Sequence, residues 1–318
     1  MKHKHKKLAL ALAGAAVFIL SNNVSADIAH SWHNLGAGND RTGTPNDPNG
    51  TANHSTNTGE VCVFCHTPHG GDSSAAVPIW NRQLNNPSNY TTYDALGTST
   101  FDATVAPVGS VSIACLSCHD GGQALDAVLN KPGSGGYVAA NPAGGYTNTN
   151  RIGAMTGTDV DATTGQLLTK NAAGMDVVQN LGTDLRNDHP VGMQYGGGGW
   201  DVSAPRDLDF RTPQQDIANT GQWFINGDIL KTKLGYTEVK SLSDGRDRLD
   251  IILYNRALTG NGTAEPLVEC GSCHDPHNTD NPTFLRISNT APSVMGAPYN
   301  GPNSSGGPSA LCLTCHNK

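Results

Sequence analysis

Eight cysteines occur in the 318 residues, and all eight fall in one five-residue pattern. Cys62-Val63-Phe64-Cys65-His66, Cys115-Leu116-Ser117-Cys118-His119, Cys270-Gly271-Ser272-Cys273-His274 and Cys312-Leu313-Thr314-Cys315-His316 all read C-x-x-C-H. Two thiols three residues apart can each add to one vinyl group of a single porphyrin, giving two thioethers. The histidine that follows then lies under the ring with its imidazole toward iron, so C-x-x-C-H is a c-type haem attachment pattern. Zinc sites, redox dithiols and disulfides also use paired cysteines. None of them requires His after every second Cys. With 12 His in the chain, four such coincidences amount to about two in a million, which an attachment site makes unnecessary. The expected cofactor is haem c, four groups covalently held.

Each iron has a second axial position. His66, His119, His274 and His316 are the proximal ligands, and His3 and His5 lie in an N-terminal segment expected to be removed. Six histidines remain for four positions: His30, His33, His54, His69, His189 and His277. Met155, Met175, Met193 and Met295 are the alternative ligands, and would raise the potentials. Histidine is favoured because two candidates repeat, in Cys65-His66-Thr67-Pro68-His69 and Cys273-His274-Asp275-Pro276-His277. If the chain is helical there, the two imidazoles of each motif leave it about 5–6 Å apart. The second cannot wrap round the porphyrin to the same iron. His69 is therefore expected at the haem of Cys115 and Cys118, and His277 at that of Cys312 and Cys315. His189 and His33 are the expected distal ligands of the other two, with His54 and His30 as alternatives to His33.

The elements that must position these groups are sparsely encoded. Glycine makes up 38 of 318 residues, about 12% against a usual 7%. Charged residues are 15%, against about 25% in ordinary globular chains. Few segments show sustained helical or strand periodicity, and residues 246–258 are the best candidate for a regular element. The expected fold class is mostly irregular coil with short helices at the haem sites, and with the haems as the core. Residues 1–26 read as a secretory signal peptide: Lys2, Lys4, Lys6 and Lys7, an apolar run, then Val24-Ser25-Ala26. That run is shorter than the roughly 18–20 residues of a membrane span. The remaining residues, 27–318, read as one tetrahaem domain: a di-haem module at 61–122, a haem-free insertion at 123–269 and a di-haem module at 270–318. Loss of the four signal lysines leaves 16 basic against 27 acidic residues, a net charge near −11. That balance argues against a nucleic-acid partner, which needs clustered positive charge.

The sequence resembles the extracellular tetrahaem c-type cytochromes of metal-reducing bacteria, of the OmcE type. The resemblance is carried by Val61-Cys62-Val63-Phe64-Cys65-His66-Thr67-Pro68-His69-Gly70, Cys115-Leu116-Ser117-Cys118-His119-Asp120-Gly121, Asn187-Asp188-His189-Pro190-Val191-Gly192 and the tail Leu311 to Lys318. It covers all four attachment sites in order, and is weak in 27–60 and through much of 123–265. It implies a secreted chain that polymerises into a filament, with one axial His supplied by the neighbouring subunit, an N-terminal-arm donor being the natural candidate. Partners implied are further copies of the chain, other multihaem cytochromes and extracellular electron acceptors.

Two imidazoles on every iron would leave nothing open for substrate, so an electron conduit and not an enzyme is expected. A soluble periplasmic tetrahaem carrier is the alternative. A multihaem oxyanion reductase needs an open iron and basic residues to hold its anion, and a surface adhesin has no residue pattern in its favour.

Overall fold

A computed structural model describes residues 28–37, 52–99, 101–133, 148, 150–188, 190–198, 207–216, 221–227, 250–258, 264–277, 282–287 and 310–317. The signal segment, His189 and Met295 lie outside the described residues.

Most of the described chain is turn and coil, and helix falls on the cysteine motifs. A 3-10 turn spans Cys62–Phe64, helix α1 spans Ser110–His119, α2 spans Cys270–Cys273 and α3 spans Ala310–Cys315. Helix places two cysteines three apart on one face. In α1 the opposite face buries Ser112, Ile113, Ala114, Leu116 and Ser117, while Cys115 and Cys118 stay partly accessible. Full burial of a side chain such as Leu116 is worth about 1.5–3 kcal/mol. The chain leaves the helix as soon as each first-repeat histidine is reached. His66 pairs as an isolated bridge with Trp80, and His274 is extended at φ −108°, ψ 137°. Thr67 and Asp275 precede prolines, which disfavours helix at those residues.

The insertion carries more order than its composition suggests. Strands β1 (His54–Ser55) and β2 (Met155–Thr156) form a two-stranded ladder. Strands β3 (Met193–Gln194), β4 (Gln214–Asp216), β5 (Gln222–Ile225), β6 (Ile251–Ala257) and β7 (Ala264–Val268) form an antiparallel sheet in the order β3-β7-β6-β5-β4. Its register sets Trp223 opposite Leu253 and Tyr254 opposite Leu267. Residues of β6 alternate between faces, as strand geometry requires. Ile251 and Leu253 pack with Tyr195, Ile225 and Ile287, and Leu311 and Cys315 border that cluster. Tyr254 faces the third attachment motif: a Cβ on Gly271 would run into its hydroxyl and touch Val111. The sheet thus lies against the third and fourth motifs at once, and β7 runs directly into α2.

Two further apolar clusters border cysteines. Trp80, Tyr90, Ile113, Leu116, Leu185 and Val191 lie in one, with Cys65 and Cys270 at its edge. Leu125, Met155, Val160 and Leu167 form another, beside Cys118. Side chains therefore build cores beside the attachment motifs, where the composition had suggested porphyrin alone. Among the described residues no helix is long and apolar enough to cross a membrane.

Candidate haem centres

All eight cysteines are free thiols, as thioether formation requires. They follow one another in space in chain order. Cys65 of the first motif and Cys118 of the second lie within electrostatic reach. Cys115 and Cys270, of the second and third, are hydrogen-bonded thiol to thiol. Cys273 of the third faces Cys312 and Cys315 of the fourth. Burial pushes the thiols of Cys65 and Cys315 up to about 12 and that of Cys273 up to about 11, so all three are neutral at ordinary pH.

Three of the motif histidines are oriented alike. The ring Nδ1–H of His66 donates to the carbonyl of Pro78 (2.9 Å), that of His119 to Gln179 (2.8 Å) and that of His274 to Thr283 (2.7 Å). A carbonyl can only accept, so Nδ1 carries the proton and Nε2 is left as the metal-binding nitrogen. His316 bridges Phe210, whose ring centre lies 4.3 Å from the imidazole. The tail there is anchored by Arg211 N–H to the Cys315 carbonyl (2.8 Å) and Asn317 N–H to the Asp209 carbonyl (2.7 Å).

Two pairs of imidazoles face each other. The rings of His66 and His277 have centroids 6.2 Å apart and planes 21° from parallel. Those of His33 and His119 are 6.1 Å apart and inclined by 69°. An imidazole nitrogen binds a first-row metal at about 2.0–2.1 Å and lies about 1 Å from its ring centre, so two rings on opposite sides of one iron stand roughly 6 Å apart. The residues therefore fit haem at the first two sites: Cys62, Cys65, His66 and His277 for one, Cys115, Cys118, His119 and His33 for the other. Among the described residues no three His, Cys, Asp or Glu side chains converge as a bare metal ion needs.

These are not the pairs that motif spacing suggests. His33, not His69, lies across from His119, and His277 lies across from His66, in the first motif instead of the fourth. The spacing argument assumed helix through C-H-x-P-H, and the prolines break it. The ring of His69 is exposed, and its carbonyl accepts from Asn130 Nδ2 (2.6 Å) and Thr67 Oγ1 (3.0 Å). His54 sits on β1 with its Nδ1 bonded to Ala52 O (2.9 Å), and His30 is exposed on the 3-10 turn Ile28–His30. Met155 is packed in a core cluster and Met175 is exposed.

Residues outside the motifs set this geometry, and spacing could not point to them. A ring N–H of His33 donates to the Pro276 carbonyl, and its ring stacks on Phe284 at 4.2 Å and 3°. Burial, then the neighbouring His119, pushes His33 down to about 3. Asn81 is fully buried, donating to Val63 O (2.6 Å) and, through its backbone N–H, to Cys65 O (2.8 Å). Arg82, also fully buried, donates to the carbonyls of Ser117, Ala124, Leu125 and Ala127 at 2.8–2.9 Å. Glu269 joins the second motif to the third: it accepts from Ser112 Oγ of α1 and from Arg256 Nη1 (2.8 Å), and Cys270 N–H donates to Ser112 Oγ (3.0 Å).

Comparison with protein-family models and with curated proteins returns no match for this chain.

Proposed function

We propose that the chain is an exported c-type cytochrome that holds four covalent haems and conducts electrons. The observation that carries this reading is the pair of opposed imidazoles, each about 6 Å apart beside its own C-x-x-C. Support also comes from the order of the cysteines, which makes the four sites neighbours in a single file. Bound haem iron supplies a one-electron couple. The cysteines tether each ring, and the backbone carbonyls of Pro78, Gln179, Thr283 and Pro276 fix imidazole tautomers and orientations. Ligation from both faces leaves the first two irons no position for substrate, which favours conduction over catalysis. His274 and His316 hold the third and fourth haems in this reading. His69, His189, His54 and His30 are the remaining histidines from which their distal ligands come, within the chain or from a neighbouring copy.

In this reading the mature protein acts at the cell surface and assembles end to end into a filament that passes electrons to other multihaem cytochromes and external acceptors. The support for assembly is the resemblance across all four attachment motifs. Intact mass of the secreted chain tests the first part: the expected result is four added haems, and a bare polypeptide refutes it. Magnetic circular dichroism of the oxidised protein is expected to show low-spin haem only; a high-spin component turns the reading toward a reductase. Micrographs of material sheared from cells are expected to show fibres, and small monodisperse particles at every concentration favour the soluble periplasmic carrier.

A further inference from the structure

We propose that the second centre, held by Cys115, Cys118, His119 and His33, is more readily reduced than the first, and that the buried cation Arg82 is the positioning charge that makes it so. The inference rests on the haem reading of the C-x-x-C-H motifs.

Three independent features point the same way. The first is water. Cys62 and His277 of the first centre are exposed, whereas none of the four residues of the second is. An oxidised iron carries one more positive charge than a reduced one, and a drier site disfavours that charge.

The second feature is the angle between ligand planes. Near-parallel imidazoles at 21° both donate π-density into the same iron d orbital and stabilise the oxidised state. Rings crossed at 69° divide that donation between two orbitals and stabilise it less. The crossed angle is built by this chain, since Pro276 and Phe284 fix the His33 ring while Gln179 fixes that of His119.

The third feature is Arg82. Its guanidinium binds Ser117 O, inside the Cys115–Cys118 loop, and three carbonyls of the turn that follows. It makes no ion pair among the described residues, and its Nε is buried without a hydrogen-bond partner. Asp120, the residue after His119, is occupied by Tyr90 OH (2.7 Å) and Asn85 Nδ2 (3.2 Å). Asp126 lies in the same turn but is neutralised by Arg151 at 2.8 Å. A porphyrin tethered by its vinyl groups carries its carboxylates on the opposite edge, so they do not cancel a cation at the cysteine edge. Arg82 also lies within electrostatic reach of Cys65 of the first centre, but all four of its hydrogen bonds go to the second motif and the turn that follows it. A fixed charge in a low-dielectric interior acts strongly on a nearby charge change.

Potentiometric titration of the intact four-haem protein, followed by electron paramagnetic resonance, tests this. Crossed and near-parallel bis-imidazole irons give different low-spin signals, one strongly anisotropic and one rhombic. His33→Met and His277→Met assign them. The crossed signal is expected to disappear at the higher potential, by at least about tenfold in the one-electron equilibrium constant, or about 59 mV. Arg82→Gln is expected to lower the midpoint of the crossed signal more than that of the parallel one, and Arg82→Lys to restore it. Equal midpoints, a reversed order in the unmodified protein, or a crossed-signal midpoint unmoved in Arg82→Gln overturns the proposal. Should Arg82→Gln fail to fold, the order in the unmodified protein still decides. Absence of covalent haem is seen by mass before any titration, and defeats the underlying reading instead.

Discussion

In the proposed reading the first and second centres offer a haem the same groups, two thiols for its vinyl carbons and two imidazoles for its iron, in different surroundings. At the first, His66 and His277 face each other nearly parallel, with Cys62 and His277 open to solvent. At the second, His33 and His119 are crossed, the cysteines stand on a ten-residue helix, and a buried guanidinium lies against the loop between them. In that reading the C-x-x-C-H motif fixes which atoms bind. The surroundings come from elsewhere in the chain: residues 276 and 284 orient His33, and residue 82 supplies the charge. A motif thus specifies a centre's chemistry, and distant loops specify how that centre differs from its neighbours.

The largest expected effect tests the ligand pairs themselves. His33→Ala is expected to convert one haem to high spin, His277→Ala a different one, and His69→Ala neither of these two, all read by magnetic circular dichroism. In a Cys62→Ser/Cys65→Ser background, which lacks the first haem, His277→Ala should produce no further high-spin signal. A new high-spin signal there would instead support the pairing of His277 with the fourth site. Next comes the joint that ties the second centre to the third, for which the first has no counterpart. The Glu269 carboxylate is fully buried against Arg256 at 2.8 Å. Removing one partner of a buried pair costs about 3–5 kcal/mol. Glu269→Ala should lose stability on that scale in urea titration, and a loss below about 1 kcal/mol would show that the joint does not hold α1 against α2.

Helix at the four motifs was legible because the cysteine spacing itself favours it. So was an element within 246–258, which is β6, with Ile251 and Leu253 on one face and Tyr254 on the other. The rest of the sheet was hidden: β3, β4 and β5 are two to four residues long, too short for periodicity to register. The four motif histidines, of which His66, His119 and His274 share an Nδ1–carbonyl hydrogen bond, stand out from the motif alone. His33 was readable only as one member of a surplus, since its position depends on the Pro276 carbonyl and the Phe284 ring, more than 200 residues away. The neighbouring of His277 with His66 and of His33 with His119 was not visible in the spacing of the two C-H-x-P-H segments, where the prolines disfavour helix. Arg82, Asn81 and Glu269 gave no signal, because a single buried polar residue has no pattern until its partners are in place.

The first centre has its own brace, and a smaller effect is expected there. Asn81 ties the Cys62–Cys65 turn to the segment around residue 130, donating to Val63 O and accepting from the backbone N–H of Asn130 at 2.8 Å. Asn81→Ala leaves buried carbonyl and amide groups unsatisfied, at about 1–3 kcal/mol. The loss should fall first on the first haem, seen as faster exchange of amide protons in residues 62–66 than in α1. Equal exchange in both would mean that the two centres unfold as one unit.

An effect of similar size separates the centres by acid. His33 is held near 3 in the fold, chiefly by burial, against an ordinary value of 6.5. Between those values the unfolded chain binds a proton that the folded chain refuses, so stability rises with pH through this window. It is fully present above about 6.5 and is lost as pH falls toward 3, by about 1.4 kcal/mol per pH unit at most. Ligation of iron by the neutral ring acts in the same direction, since a protonated imidazole cannot bind. Urea midpoints of the four-haem protein should therefore fall between pH 6.5 and 4.5, and His33→Ala should flatten that slope while lowering stability at the upper end. A slope unchanged by the substitution would place the acid sensitivity outside the second centre, and would remove burial of His33 from the reasons why the two centres differ.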